Sequence, residues 1–192
     1  MDDRGLGSSY AYLLGLYLGD GTLARSARGV WRLRIFQDSR YTALIDACAG
    51  SISEVSGNNA ATYRRDGCTE IYNFWKHWTC LFPQHGPGPK HLRRIVLEAW
   101  QRLLIERYPK EFVKGLIHSD GCRVTNTVRH STGKSYSYPR YFFTNHSDDI
   151  RELFAWACGL IGVDSRPNNR WNISVAKRAS VAILDEFVGP KS

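Results

Sequence analysis

The sequence predicts an α+β protein made of two pseudo-symmetric αββαββα halves. Three observations carry that expectation. One short motif occurs twice, as LLGLYLGDG at Leu13–Gly21 and FVKGLIHSDG at Phe112–Gly121, 100 residues apart (121 − 21). Each copy leads into two strand patterns, a helical stretch and a second hairpin. Between the halves, PQHGPGP at Pro83–Pro89 is the clearest break in the chain. The halves share few letters, so the repeat is one of pattern.

The first motif helix is expected over Tyr10–Asp20, capped by Ser8 or Ser9. Ala11, Gly15 and Gly19 fall four apart on it, as do Gly115 and Ser119 on the second copy. Small residues at that spacing leave a bare strip where another backbone can come close. The glycine after each aspartate is expected to take the left-handed conformation that stops a helix. Asp20 and Asp120 would then sit at the negative ends of their helix dipoles, at a cost of up to about 1 kcal/mol each. Accepting that cost twice calls for a compensating positive charge, which a shared divalent metal would supply.

Strands are expected at Thr22–Ala27 and Val30–Phe36, turned near Arg28-Gly29. Trp31–Ile35 alternates apolar and basic, which puts Arg32 and Arg34 on one face. A helix over Tyr41–Val55 follows, then a hairpin of Ala60–Arg65 and Thr69–Trp75 turned by Asp66-Gly67. Phe74–Phe82 closes the half as a short helix or irregular segment. Beyond the Pro-Gly loop, Leu92–Tyr108 reads as one connector helix. Its Leu92, Ile95, Ala99, Leu103 and Leu104 stand against Arg93, Arg94, Gln101 and Arg102. The second motif helix runs from Lys110 to Asp120 behind Pro109, which suits a helix start. Strands at Cys122–His130 and Ser137–Asn145 come next, joined by a loop with Gly133-Lys134. A helix over Asp148–Leu160, a hairpin with Arg166–Arg170 at its tip and a helix over Ala176–Phe187 complete the half. The expected division is 9–82, a connector 83–108, and 109–188, in one compact unit.

At 192 residues and 43% hydrophobic content, the chain can bury a substantial core. No apolar run approaches a membrane span, and Met1–Gly7 lacks the apolar core of a secretory leader, so no membrane partner is expected. The five cysteines are odd in number and free of CxxC pairs, as in reduced thiols of a cytoplasmic, intracellular protein. Cys68, His77, Cys80, His85 and His91 fit no common zinc-ligand spacing. The net charge is +8, from 12 basic and 8 acidic residues up to Val96 and 14 and 10 beyond it. An excess of +4 in each half suits a polyanion lying across both. The tryptophans are expected in the core rather than stacked on bases.

The duplicated motif with both aspartates present, each followed by the same order of elements, resembles the LAGLIDADG homing endonucleases over Tyr10 to Val188. The resemblance implies that the motif helices pack at a central interface and that two antiparallel sheets form a DNA-binding saddle. It implies that Asp20 and Asp120 bind the metals that cut DNA. Two motifs in one chain imply a monomer acting on double-stranded DNA, cutting one strand with each half across the minor groove. Mg²⁺ is the implied cofactor, with Mn²⁺ as a substitute and Ca²⁺ binding without supporting cleavage. Hard divalent ions held by carboxylates activate water, neutralise the phosphorane and stabilise the leaving oxygen. The backbone carbonyls of Gly19 and Ser119 would face the same ions. By position, the family's basic residues fall on Lys90 and Lys177, and its water-positioning polar residues on Gln37-Asp38 and Thr144-Asn145. His118 replaces an acidic residue of the usual motif spelling, at a position that is not the metal ligand.

Alternation gives each strand one face toward the helices and one toward the major groove, where polar side chains read base edges. Candidates in the first half are Arg25, Arg28, Arg32, Arg34, Arg64 and Arg65. In the second they are Arg123, Thr125, Thr127 and Arg129 on one strand, Arg140 on the next, Lys134 between them, and Arg166, Asn168 and Arg170 on the last hairpin. Two rival readings use the same saddle: a non-cleaving transcriptional regulator, and an RNA maturase. Both acids are present and no separate helix-turn-helix segment is recognisable, which argues against the regulator. An intein is disfavoured by Met1 and by an end, Gly189-Pro190-Lys191-Ser192, without a His-Asn splice signature.

Overall fold

The computed structural model describes residues 3–129, 132–189 and 191. Each half opens on its motif helix. Helix α1 (Asp3–Asp20) leads into the hairpin β1 (Gly21–Arg25) and β2 (Trp31–Asp38). Helix α2 (Thr42–Ser56), strands β3 (Ala61–Arg64) and β4 (Cys68–Trp75), and the short α3 (Trp78–Leu81) follow. After α4 (Ala99–Arg107), the second half runs α5 (Pro109–Asp120), β5 (Gly121–Arg129), β6 (Ser135–Thr144), α6 (Asp148–Leu160), β7 (Arg166–Pro167), β8 (Asn172–Val175) and α7 (Arg178–Asp185). The expected strand end at His130 lies outside the described residues.

The sheets are antiparallel and four-stranded, ordered β1-β2-β4-β3 and β5-β6-β8-β7. The register repeats as well. Gly21 pairs with Ile35, and Gly121 with Phe143. This is the α+β fold of two αββαββα halves that the repeated pattern predicts.

Helix α1 is buried almost all round because a sheet, α2 and α5 each take one side of it. Leu13, Leu14, Leu16 and Leu18 are completely enclosed, each contributing on the order of 2 kcal/mol by apolar burial. Tyr17 stacks on Phe82 at 4.3 Å and Phe82 on Trp78 at 5.7 Å, which pins α3 to the back of α1. In the second half Phe143 stacks on Phe154 at 4.4 Å and ties β6 to α6. Trp100, by contrast, is exposed on α4. Among the described residues, no helix is long and apolar enough to cross a membrane.

Three local expectations are corrected. Helix α1 begins at Asp3, so Ser8 and Ser9 lie inside it and do not cap it; Ser8 Oγ donates back to the Gly5 carbonyl at 2.9 Å. Gly21 and Gly121 are not left-handed: Gly121 is extended (φ −101°, ψ 163°), and neither has a positive φ. Each begins a strand directly, and a methyl there would lie 2.5 Å from Tyr17 Cα or 2.7 Å from Ile117 Cα. Glycine is required by close approach, not by backbone conformation.

The third correction is the connector. Only Ala99–Arg107 is helical; Lys90–Leu92 makes one 3-10 turn, and the chain then runs irregularly to Glu98. Its backbone groups are satisfied from elsewhere, with Ile95 N donating to Asp149 Oδ2 at 2.7 Å and Val96 O accepting from Gln84 Nε2 at 2.9 Å. The faces differ from the expected ones too. Leu92 and Leu103 are exposed, while Gln101 is enclosed and donates to Tyr10 Oη at 2.7 Å.

Candidate functional site

Gly15 and Gly115 set the distance between α1 and α5. A methyl on Gly15 would lie 2.6 Å from the Phe112 carbonyl oxygen and 2.7 Å from Leu116 N. One on Gly115 would strike the Tyr12 carbonyl. One turn further on, a methyl on Gly19 would come within 2.9 Å of Asp120 Oδ2. The small-residue strip therefore ends by bringing carboxylates from both halves to one place.

Both carboxylates are partly buried there, and both respond. Burial first, and the Asp120 charge second, push Asp20 up to about 7 against the pull of Lys191 and Lys90. Burial also raises Asp120, although its Oδ2 accepts a 2.6 Å bond from Asn145 Nδ2. Lys90 Nζ donates to the Gly21 carbonyl at 2.6 Å and the Gly19 carbonyl at 3.1 Å, and lies over the Tyr17 ring at 5.0 Å. Burial brings its pKa down to about 8. Lys191 Nζ donates to the Ser119 carbonyl at 3.2 Å and is likewise lowered by burial. Each lysine thus caps the negative end of a motif helix. Gly19 and Ser119, expected as metal-facing carbonyls, are bonded to these ammonium groups.

Lys191 takes the place that sequence reading assigned to Lys177. Lys177 is 61% exposed, ion-pairs with Asp164 and lines a separate depression with Arg140 and Arg166. The missed signal was spacing. Lys90 lies 70 residues after Asp20 (90 − 20), and Lys191 lies 71 after Asp120 (191 − 120).

Lys90, Asp120, Asn145 and His146 line a cleft of about 390 Å³ between the halves. The His146 ring stacks on Trp171 at 4.4 Å and meets His91 at 5.6 Å; both histidines line the cleft, His146 unmentioned by the sequence reading and His91 weighed there only as a zinc ligand. Gln37 is the register equivalent of Asn145, two residues past the partner of the strand-opening glycine. It is buried, and its Nε2 has no hydrogen-bond partner among the described residues. Asp38, by contrast, is held by Arg40.

Register sorts the expected groove-facing residues. Leu33 and Ile35 face the helices, so Arg32, Arg34 and Phe36 lie on the open face of the first sheet, opposite Phe74, Tyr72 and Glu70. Arg25 and Arg64 have the other parity, paired with Trp31 and Thr69, and are exposed at the sheet margin. Arg28 sits in the hairpin turn at φ 58°, and Arg65 reaches Glu70 from the next turn.

In the second sheet Tyr141 and Phe143 face the helices, so Arg123, Thr125, Thr127 and Arg129 share the helix-side parity. That overturns their groove-facing assignment. Arg123 binds both carboxylate oxygens of Asp185, at 2.8 and 2.9 Å, on α7. Val124, Asn126, Val128 and Arg140 occupy the open face, and Arg166 joins them through Ser174. Lys134 lies exposed in the β5–β6 turn, Asn168 at the last hairpin, and Arg170 stacks on Trp171 at 4.3 Å.

Paired helices ending in adjacent aspartates, flanked by two sheets of the same strand order, define the two-repeat LAGLIDADG architecture, and this chain has that fold. It is similar to I-DmoI in complex with its target DNA in the presence of Mn, at TM-score 0.61 and 19% identity, over 95% of this chain and 94% of that one. It is similar also to the I-SmaMI LAGLIDADG homing endonuclease bound to cleaved DNA (TM-score 0.57, 9% identity, 95% and 83% covered). A third is the LAGLIDADG meganuclease I-AabMI bound to uncleaved DNA (TM-score 0.55, 12% identity, 93% and 83% covered). No protein-family model and no curated protein matches the sequence.

Proposed function

We propose that the protein is a site-specific endonuclease that cuts double-stranded DNA as a monomer, with 9–82 and 109–188 as its two halves and 83–108 joining them. The observation that carries this reading is the desolvated pair Asp20 and Asp120, brought together from opposite halves by glycine contacts. The solved structures of the same fold bound to DNA support it. The +8 charge and five free thiols accord with an intracellular partner of DNA.

The residues present fit a hard divalent cation. Two carboxylates whose charge burial opposes gain most from one, since both neighbouring lysines are engaged by carbonyls. Among the described residues no group of three or more His, Cys, Asp and Glu is placed to hold a metal. The remaining ligands would be water, phosphate oxygens and the second lone pairs of the Gly19 and Ser119 carbonyls, the mixed set that Mg²⁺ favours. Such an ion supplies Lewis-acid charge and a more nucleophilic water.

The chain's own groups do the rest. Asn145 holds Asp120 in one orientation, and the free amide donor of Gln37 positions water in the other half. Lys90 and Lys191, fixed at the helix ends, place positive charge where phosphate oxygens become more negative. Lys90→Met and Lys191→Met are each expected to slow cleavage roughly a hundredfold, whereas Lys177→Met stays near wild type. Single-turnover rates on a common duplex decide between Lys191 and Lys177.

The function itself is tested by offering the protein a randomised duplex library in Mg²⁺ and in Ca²⁺. Defined double-strand cuts in Mg²⁺ alone are expected. A library bound but uncut in Mg²⁺ and Mn²⁺ would make the protein a non-cleaving DNA-binding regulator.

A further inference from the structure

Glu70 lies on the open face of the first sheet, yet its side chain has 0% exposure. It is covered by arginines rather than sunk in the core. Arg34 grips it with two bonds, Nε to Oε1 at 2.7 Å and Nη2 to Oε2 at 3.1 Å. Arg32 Nη2 reaches Oε1 at 2.7 Å, and Arg65 Nη2 reaches Oε2 at 3.1 Å. The guanidinium of Arg32 also lies over the Tyr72 ring at 4.2 Å, and that of Arg34 over Phe36 at 4.9 Å. The Arg34 hydrogen bond, before the other charges, holds the Glu70 carboxyl below its ordinary range.

Phosphate binding needs no such construction, because a flexible solvated cation serves it. Base reading does need it. Guanine offers O6 and N7 to a guanidinium edge, and a fork already held in place loses little freedom on binding. Glu70 takes Nε and Nη2 of Arg34 and Nη2 of Arg32, and among the described residues no hydrogen bond engages the Nη1 group of either. It also reduces the local charge of three arginines by one, which weakens attraction to any backbone whatever its sequence.

We propose that Glu70 is a positioning residue for base recognition, presetting Arg32 and Arg34 to read guanine in the half-site beneath the first sheet. This rests on the DNA-cleaving reading above and adds the sequence class of one half-site.

The test is selection of randomised duplexes in Ca²⁺ by wild type, Glu70→Gln and Arg34→Lys, followed by sequencing of the bound pools and affinity measurements at several salt concentrations. Wild-type pools are expected to carry guanine at one or two positions of one half-site. Glu70→Gln should lower that preference about tenfold. Its affinity for random duplex at low salt should hold or rise, with the salt slope steeper by up to about 0.9 for one phosphate gained. Arg34→Lys keeps the charge, loses the fork, and should remove the preference at one position. If Glu70→Gln does not fold by circular dichroism, Glu70→Asp takes its place: it keeps the charge but draws the carboxylate back from both arginines, and the same fall in guanine preference is expected.

Wild-type pools without guanine in either half-site, or a preference surviving in the folded variants, would overturn the role of Glu70 and leave the endonuclease reading standing. Wild-type protein that binds no duplex at low salt would overturn both.

Discussion

Asp20→Asn and Asp120→Asn are each expected to reduce strand cleavage on the order of a thousandfold or more while duplex binding survives. Each substitution removes one anionic ligand from a pair that, among the described residues, belongs to no larger metal-holding group of His, Cys, Asp and Glu, and leaves both sheets untouched. Stability should move the other way. Asp20 is raised from 3.8 to about 7, so the folded state holds this proton more tightly than the unfolded chain does. Its contribution is full below about pH 4 and is lost as pH rises through 7. Asparagine has no charge to desolvate, so without metal at pH 8 the Asp20→Asn protein should be more stable than wild type by on the order of 2 kcal/mol, and equal to it near pH 4. Adding Mg²⁺ should raise the melting temperature of wild type and do little for either variant. Cleavage assays, duplex titrations and melts at the two pH values read all of this. A variant that still cuts, or a wild-type melting temperature indifferent to Mg²⁺, would remove the aspartates from the metal site.

The strands and helices were legible where the information is local. Alternation in Trp31–Ile35 marks the buried Leu33 and Ile35, and the helix expected over Asp148–Leu160 is α6. The duplicated Asp-Gly pair pointed to the meeting of Asp20 and Asp120, because two identical helix ends are improbable as separate accidents of packing. What stayed hidden depends on distant partners. In the irregular part of the connector the backbone donor of Ile95 goes to Asp149, 54 residues away in sequence, a partner no local pattern announces. Arg123 looked like a groove residue by charge, but the burial of Tyr141 and Phe143 fixes the parity of β5 and turns it toward Asp185. Lys191 could be found only by counting from the second aspartate as from the first. Glu70 reads as a lone acid in a strand until cross-strand pairing gathers three arginines around it.

Gly115→Ala should be among the most destabilising single-methyl changes available, and its value lies in contrast with Gly50→Ala. Both glycines are inside helices, where alanine is intrinsically favoured by about 0.5–1 kcal/mol. Gly50 is exposed on α2 with nothing within 4 Å of an added methyl, so Gly50→Ala should gain about that amount. At Gly115 the same methyl meets the Tyr12 carbonyl and lies 3.1 Å from Gly15 Cα, both backbone, so no side chain can swing aside. The helices must part, at a cost of about 1–3 kcal/mol or more against the propensity gain. Separation at Gly115 is carried one turn along to Gly19 and Asp120, so the carboxylates would part and Asp20 would lose the neighbour that helps raise its pKa. Urea denaturation of both variants, with Mg²⁺ melts alongside, should therefore show opposite signs of stability change and a metal response kept only by Gly50→Ala. Equal stability of the two variants would mean that α1 and α5 can slide apart freely. A site held together by that contact could not then keep two carboxylates paired.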